Sequence, residues 1–261
     1  MSYQGLYFSF DSMLREIENM RSLAKPFIEI DSFERVIPNW MKDLSNFRTS
    51  GSFAQGSTTW QIWENNPIKT RVSDGEYEQK KRKGAHKVFG QISGSWEIAK
   101  VQGHKNKEKD SNSLFTVLGL ASTKITIWSQ NDEEQLLELA RWTLDIGDAV
   151  SPGCHFHTQI NLDDEDHKFP KSLPVPRLPA FLHTPMDALD FLLGELFQDR
   201  WYQRSSKSSD FVKNWSSCQR KRLVNLLEWH SGTIRDASGS PWTTLKKRKP
   251  AIDMLCRDSS H

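Results

Sequence analysis

The feature that most constrains the fold is a run of alternating segments in the middle of the chain. Across Val88–Ile98, the apolar residues Val88, Ile92, Trp96 and Ile98 share one parity with Gly90 and Gly94. Gln91, Ser93, Ser95 and Glu97 take the other parity. A period of two with one apolar side is the pattern of a half-buried strand. Leu114–Trp128 is rich in β-branched residues and ends at the turn residues Ser129, Gln130, Asn131 and Asp132. In Leu136–Ile146 the first half also fits a helix. However, Ala140, Trp142, Leu144 and Ile146 alternate with Arg141, Thr143 and Asp145, so the segment reads as strand. Gly147 to Gly153 turns the chain, Asp145 and Asp148 read as turn residues flanking it, and Cys154–Leu162 is a fourth strand. Four strands joined by modest loops predict an antiparallel meander. Glycines inside such strands mark bends or close backbone approach, which is the reading given to Gly90, Gly94 and Gly119.

Helices flank this sheet in sequence. Met13, Ile17, Met20 and Leu23, with Leu14, recur at three- and four-residue spacing from Ser12 to Ala24, and Lys25-Pro26 ends the run. Residues 31–66 show no clear period; Trp40, Trp60 and Trp63 stand out as anchors between loop-like stretches. Past the fourth strand lies the acidic loop Asp163–Asp166, then a stretch holding Pro170, Pro174, Pro176, Pro179 and Pro185. Prolines this dense favour an extended connection. The expected organisation is therefore a helix-plus-sheet region over 1–169, a connection over 170–186 and a helical basic region over 187–261, which either stands as a region of its own or packs on the sheet as part of one domain. Thr184-Pro185-Met186-Asp187 has the marks of a helix start: a capping hydroxyl, proline at the first helical position and an acid in the first turn. That helix carries Leu189, Leu192, Leu193, Leu196 and Phe197 toward Trp201. A second begins near Ser209, carries Phe211, Trp215, Leu223, Leu226 and Leu227, and stops at Gly232. The fold class expected is α+β, with a central antiparallel sheet of four or more strands.

At 261 residues the chain is long enough to bury a substantial core. Ten tryptophans and fourteen phenylalanines argue against disorder. No apolar run approaches the roughly 20 residues needed to span a bilayer. The start of the chain lacks a basic then apolar leader. Cys154, Cys218 and Cys256 are odd in number, widely spaced and free of any Cys-x-x-Cys pair, which predicts reduced thiols and a cytoplasmic protein, nuclear if eukaryotic.

The run Gly153-Cys154-His155-Phe156-His157-Thr158-Gln159-Ile160-Asn161 is the sharpest local feature. As a strand it points His155, His157, Gln159 and Asn161 to one side, and Cys154, Phe156, Thr158, Ile160 and Leu162 to the other. Two histidines at i and i+2 reach one metal ion together, so a divalent metal at His155 and His157 is the one cofactor the sequence suggests. The run resembles the first motif of the cupin family from Gly153 onward. It departs from that motif where a glutamate is expected, because Asn161 and Leu162 stand there, and no later histidine motif completes a set. The alternative is a polar sheet face hydrogen-bonded within the fold.

Charge is unevenly spread. Residues 200–261 hold thirteen Lys and Arg against five Asp and Glu, a net of +8, which leaves −6 for residues 1–199. The clusters are Lys80-Lys81-Arg82-Lys83, Arg220-Lys221-Arg222 and Lys246-Lys247-Arg248-Lys249, the last close behind Trp242. On a helix Arg220 and Arg222 stand about 200° apart, so they do not form one tight patch. Lysines beside an aromatic ring suit a nucleic acid: the cations neutralise phosphate and the ring stacks on bases. No phosphate-binding Gly-x-x-x-x-Gly-Lys-Ser/Thr loop, Gly-x-Gly-x-x-Gly, Gly-x-Ser-x-Gly or His-Glu-x-x-His motif occurs. The functional expectations are thus an accessory protein contacting nucleic acid and not membrane, a histidine-dependent metal protein or hydrolase, and an interaction subunit exploiting the tryptophans and the proline-rich segment.

Overall fold

The computed structural model describes residues 7–50, 56–73, 87–101, 114–130, 135–146, 156–160, 177–180, 184–241 and 244–245. Among them are eight strands in one antiparallel sheet and four α-helices, an α+β fold. The strands are β1 (Tyr7–Ser9), β2 (Ser57–Ile62), β3 (Ile68–Lys69), β4 (Lys87–Lys100), β5 (Leu114–Gln130), β6 (Leu136–Ile146), β7 (Phe156–Ile160) and β8 (Arg177–Pro179). The main path runs β2-β4-β5-β6-β7-β8, with β1 beside β5 and β3 beside β4. The helices are α1 (Phe10–Ala24), α2 (Ile37–Thr49), α3 (Pro185–Ser205) and α4 (Asp210–Arg235).

The alternation read from sequence fixes which sheet face is buried. Register pairs Ile92 with Ile125, Trp96 with Ala121, and Ile125 with Trp142. Leu144 pairs Thr158 and Ile146 pairs Phe156. These residues line one face, and all but Trp142, Thr158 and their outer neighbours are buried in the core. That face is covered by α3, whose Met186, Ala188, Leu189, Leu192, Leu193, Leu196 and Phe197 are all buried. A helix apolar on most of its sides must be covered on those sides, and only Phe191 and Glu195 among residues 185–197 are exposed. Here the sheet lies under it, and α1 and α4 lie against it. One apolar cluster runs from Phe10 and Ile17 through Ile92 and Phe156 to Leu189, Trp215 and Leu226, so the helical region shares its core with the sheet.

Residues 31–66, which show no clear period in sequence, hold α2 and β2. Ile37, Trp40 and Leu44 are buried at helical spacing, and Pro38 occupies the first turn. The joint with β2 is a tryptophan pair. Trp40 and Trp60 stack with ring centroids 4.1 Å apart and planes 2° from parallel, and the Trp60 indole donates to the Trp40 carbonyl at 2.9 Å. Trp63 is not an anchor; it is 60% exposed in the turn that follows.

Gly94 shows the close approach expected of a strand glycine. A Cβ there would stand 2.7 Å from the Ser122 carbonyl oxygen on β5, whereas a Cβ at Gly90 would meet only the Leu192 side chain. Backbone cannot yield as a leucine rotamer can. Gly94→Ala should cost about 1–3 kcal/mol and Gly90→Ala less, measured as shifts in the urea midpoint. Equal midpoints for the two variants would contradict this packing.

Candidate functional site

Arg222 was expected among the cations that contact nucleic acid, and the structure turns it inward instead. Its side chain points into the protein, 7% exposed, between two carboxylates from other helices. Its Nη1 donates to Glu16 Oε1 at 3.0 Å and to both Asp187 oxygens at 3.1 Å, and its Nη2 donates to Glu16 Oε2. Glu16 belongs to the buried side of α1, among Met13, Ile17 and Met20. Asp187 sits in the first turn of α3 and also accepts the Thr184 amide, closing a reciprocal capping box in which Thr184 accepts from the Asp187 amide. The Thr184 hydroxyl, turned the other way, donates to Glu16 Oε1 at 2.7 Å. Burial works against the guanidinium charge, but Glu16 and then Asp187 outweigh it and hold the pKa above its ordinary value.

Cys218 lies one helical turn before Arg222, and its thiol donates to Glu16 Oε2 at 3.7 Å. Burial, then the Glu16 charge, pushes the thiol pKa up to about 11. A second buried carboxylate, Asp190 of α3, receives the indole N–H groups of Trp201 at 2.8 Å and Trp215 at 2.9 Å. Burial raises its pKa against the lowering effect of those two donors. These groups act as structural joints: each ties α3 or α1 to α4.

The opposite side of α4 is the exposed one. At about 100° per residue, Lys213, Arg220, Val224, Leu227 and Arg235 fall within an arc of about 80°, and all are exposed. Lys221 flanks them on one side with Asp210 and Glu228, and Leu223 on the other. Leu223 and Leu227, expected in the core, are 38% and 51% exposed. The buried stripe runs instead through Val212, Trp215, Arg222 and Leu226.

The second polar focus lies on the sheet face away from α3. His157 and Gln159 of β7 point there, opposite Phe156, as alternation predicts. Asp145 was expected to serve turn geometry. It is instead the penultimate residue of β6, paired in register with His157. His157 is 1% and Asp145 6% exposed. His157 Nε2 lies 3.3 Å from Asp145 Oδ2, and Gln159 Nε2 lies 3.1 Å from the same oxygen and 3.2 Å from His157 Nε2. His155, the other histidine of the expected pair, lies outside the described residues, as do Lys80, Lys81, Arg82, Lys83, Trp242, Lys246, Lys247, Arg248 and Lys249. No group of three or more His, Cys, Asp or Glu converges among the described residues. No helix among them is long and apolar enough to cross a membrane.

Comparison with protein-family models, with curated proteins and with solved structures finds no match to this chain. Function therefore rests on the geometry alone.

Two outcomes test the helix cluster. Arg222→Met leaves two buried carboxylates without their cation and should cost about 3–5 kcal/mol in urea denaturation. Arg222→Lys should recover little of it, because an ammonium cannot present two parallel donors. The raised pKa leaves Cys218 about 100-fold poorer in thiolate near pH 8 than an ordinary thiol. In a Cys154→Ser/Cys256→Ser protein, iodoacetamide should alkylate the native form slower than the urea-unfolded form by about that factor. Equal rates would place the thiol outside the cluster.

Proposed function

We propose that this is an accessory protein that contacts nucleic acid through a basic C-terminal surface. The observation that carries the reading is the outer face of α4, where Lys213, Arg220 and Arg235 stand on one side with Lys221 beside them. A stripe from residue 213 to 235 is about 33 Å long at the helical rise, enough to follow several phosphates. Arg222 is no part of this surface, since Glu16 and Asp187 already neutralise it. Lys246–Lys249 and Trp242 follow α4 in sequence, and together these residues account for most of the positive excess of residues 200–261. Lys80–Lys83 would add a second cationic segment. Contacts of this kind release counterions from the phosphate backbone and read little sequence.

The interaction-subunit reading draws on the same helix, because Val224, Leu227 and Ile234 are 45%, 51% and 44% exposed among the cations. A protein that retains a stoichiometric partner after nuclease treatment, and shifts no nucleic acid, would favour that reading.

The deciding experiment is fluorescence anisotropy with single-stranded DNA and RNA oligonucleotides over a salt series. Affinity should fall steeply with salt. Arg220→Gln/Lys221→Gln should flatten the log–log slope by about 0.7 for each cation removed. An unchanged slope in that variant, or no binding to either polymer at low ionic strength, overturns the proposal.

A further inference from the structure

The exposed side of α4 is divided into lanes that run along the helix axis. Leu223, Ile234 and Leu227 share one edge of it, within an arc of about 40° at the helical turn of about 100° per residue. They are 38%, 44% and 51% exposed. Arg220, Lys213 and Arg235 fill the next arc of about 60°, with Val224 among them. Asp210 and Glu228 follow about 20° past Arg235, and Lys221 alone lies beyond those acids. The order across the face is therefore aliphatic, cationic, acidic. The aliphatic lane runs about 17 Å along the axis, from residue 223 to residue 234. The cations at 213 and 235 reach past it at both ends.

The two forms of nucleic acid meet these lanes differently. A duplex keeps its base faces stacked inside and lines both walls of each groove with phosphate. A helix lying along a groove with this face inward would set one phosphate row against Leu223, Leu227 and Ile234, and the other against Asp210 and Glu228. The first contact strips water from phosphate with no cation to replace it. The second sets like charges against each other. A single strand has the same two-lane form as the helix face, because its phosphates run along one edge and its unpaired bases along the other. With its phosphates on Arg220, Lys213 and Arg235, its bases fall on the aliphatic edge, and the two acids bar the phosphates from the other side. Base faces lose water favourably against apolar side chains, as they do against aromatic rings. We infer, on the reading of this surface as a contact for nucleic acid, that the outer face of α4 takes single-stranded nucleic acid in preference to duplex. The phosphates lie on the cationic lane and the base faces on Leu223, Leu227 and Ile234.

The test titrates the full chain into four labelled probes of equal phosphate count: a DNA single strand, an RNA single strand, a DNA duplex, and an abasic strand that keeps the phosphates and lacks the bases. Both base-bearing single strands should bind about 10-fold or more tightly than the duplex and the abasic strand. Leu223→Ala/Leu227→Ala/Ile234→Ala keeps good helix formers on the exposed face and removes the aliphatic lane. It should weaken single-strand binding by about 10-fold. Its duplex and abasic binding, its log–log salt slope and its circular dichroism should match wild type, since no cation is lost. Duplex binding as tight as single-strand binding overturns this inference and leaves the nucleic-acid reading standing. A folded triple variant with wild-type affinity for the single strands does the same. Failure to bind any of the four probes overturns both.

Discussion

The helical half of this protein is organised around one buried guanidinium. Arg222 reaches two carboxylates on two different helices, and a third group, Thr184, both caps α3 and donates to Glu16. An unpaired charge at that depth is costly, so α1, α3 and α4 must meet in one arrangement for any of these groups to be satisfied. Such a cluster contributes little net stability over an apolar equivalent, but it penalises every misdocked packing. At the other end of the layer, Arg204 of α3 donates to the Ser22 and Leu23 carbonyls, which are left open where α1 ends. Arg222 thus joins α1, α3 and α4 at one end of the layer, and Arg204 joins α3 to the end of α1 at the other.

The sheet depends on this layer through α3. Most side chains of α3 up to Phe197 are buried, so it folds only when the sheet lies beneath it and the other helices pack against it. That arrangement leaves the outer face of α4 exposed, where the inward turn of Arg222 leaves a stripe of cations and aliphatic side chains. On the far side of β6 and β7, Asp145, His157 and Gln159 meet as a buried polar group.

Much of the fold was legible in sequence because period two survives wherever one sheet face is buried. The parity of Ala140, Trp142, Leu144 and Ile146 placed Asp145 on the outer face, and the parity of Phe156 placed His157 there too. What sequence lacked was the register that sets Asp145 opposite His157, which depends on the length and shape of the intervening turn. Glu16 and Arg222 were missed for a different reason. Both occupy helical positions in line with apolar neighbours: Met13, Ile17 and Met20 for one, Trp215 and Leu226 for the other. Reading charge as exposed overrode the helical period, although a charge on an apolar stripe implies a buried partner. The same error pushed Leu223 and Leu227 inward, since the stripe was drawn through them and not through Arg222. In residues 31–66 the pattern Ile37, Trp40, Leu44 was present, but the neighbouring loop residues obscured it.

The central claim is that Arg222 couples α1, α3 and α4 into one cooperative unit. Native-state amide hydrogen exchange on Arg222→Met, compared with wild type under conditions where both are folded, tests it most directly. The account predicts that protection falls together across Phe10–Ala24, Pro185–Ser205 and Asp210–Arg235, by the same free energy in each. Loss of protection confined to α4, with α1 and α3 exchanging as in wild type, would contradict it.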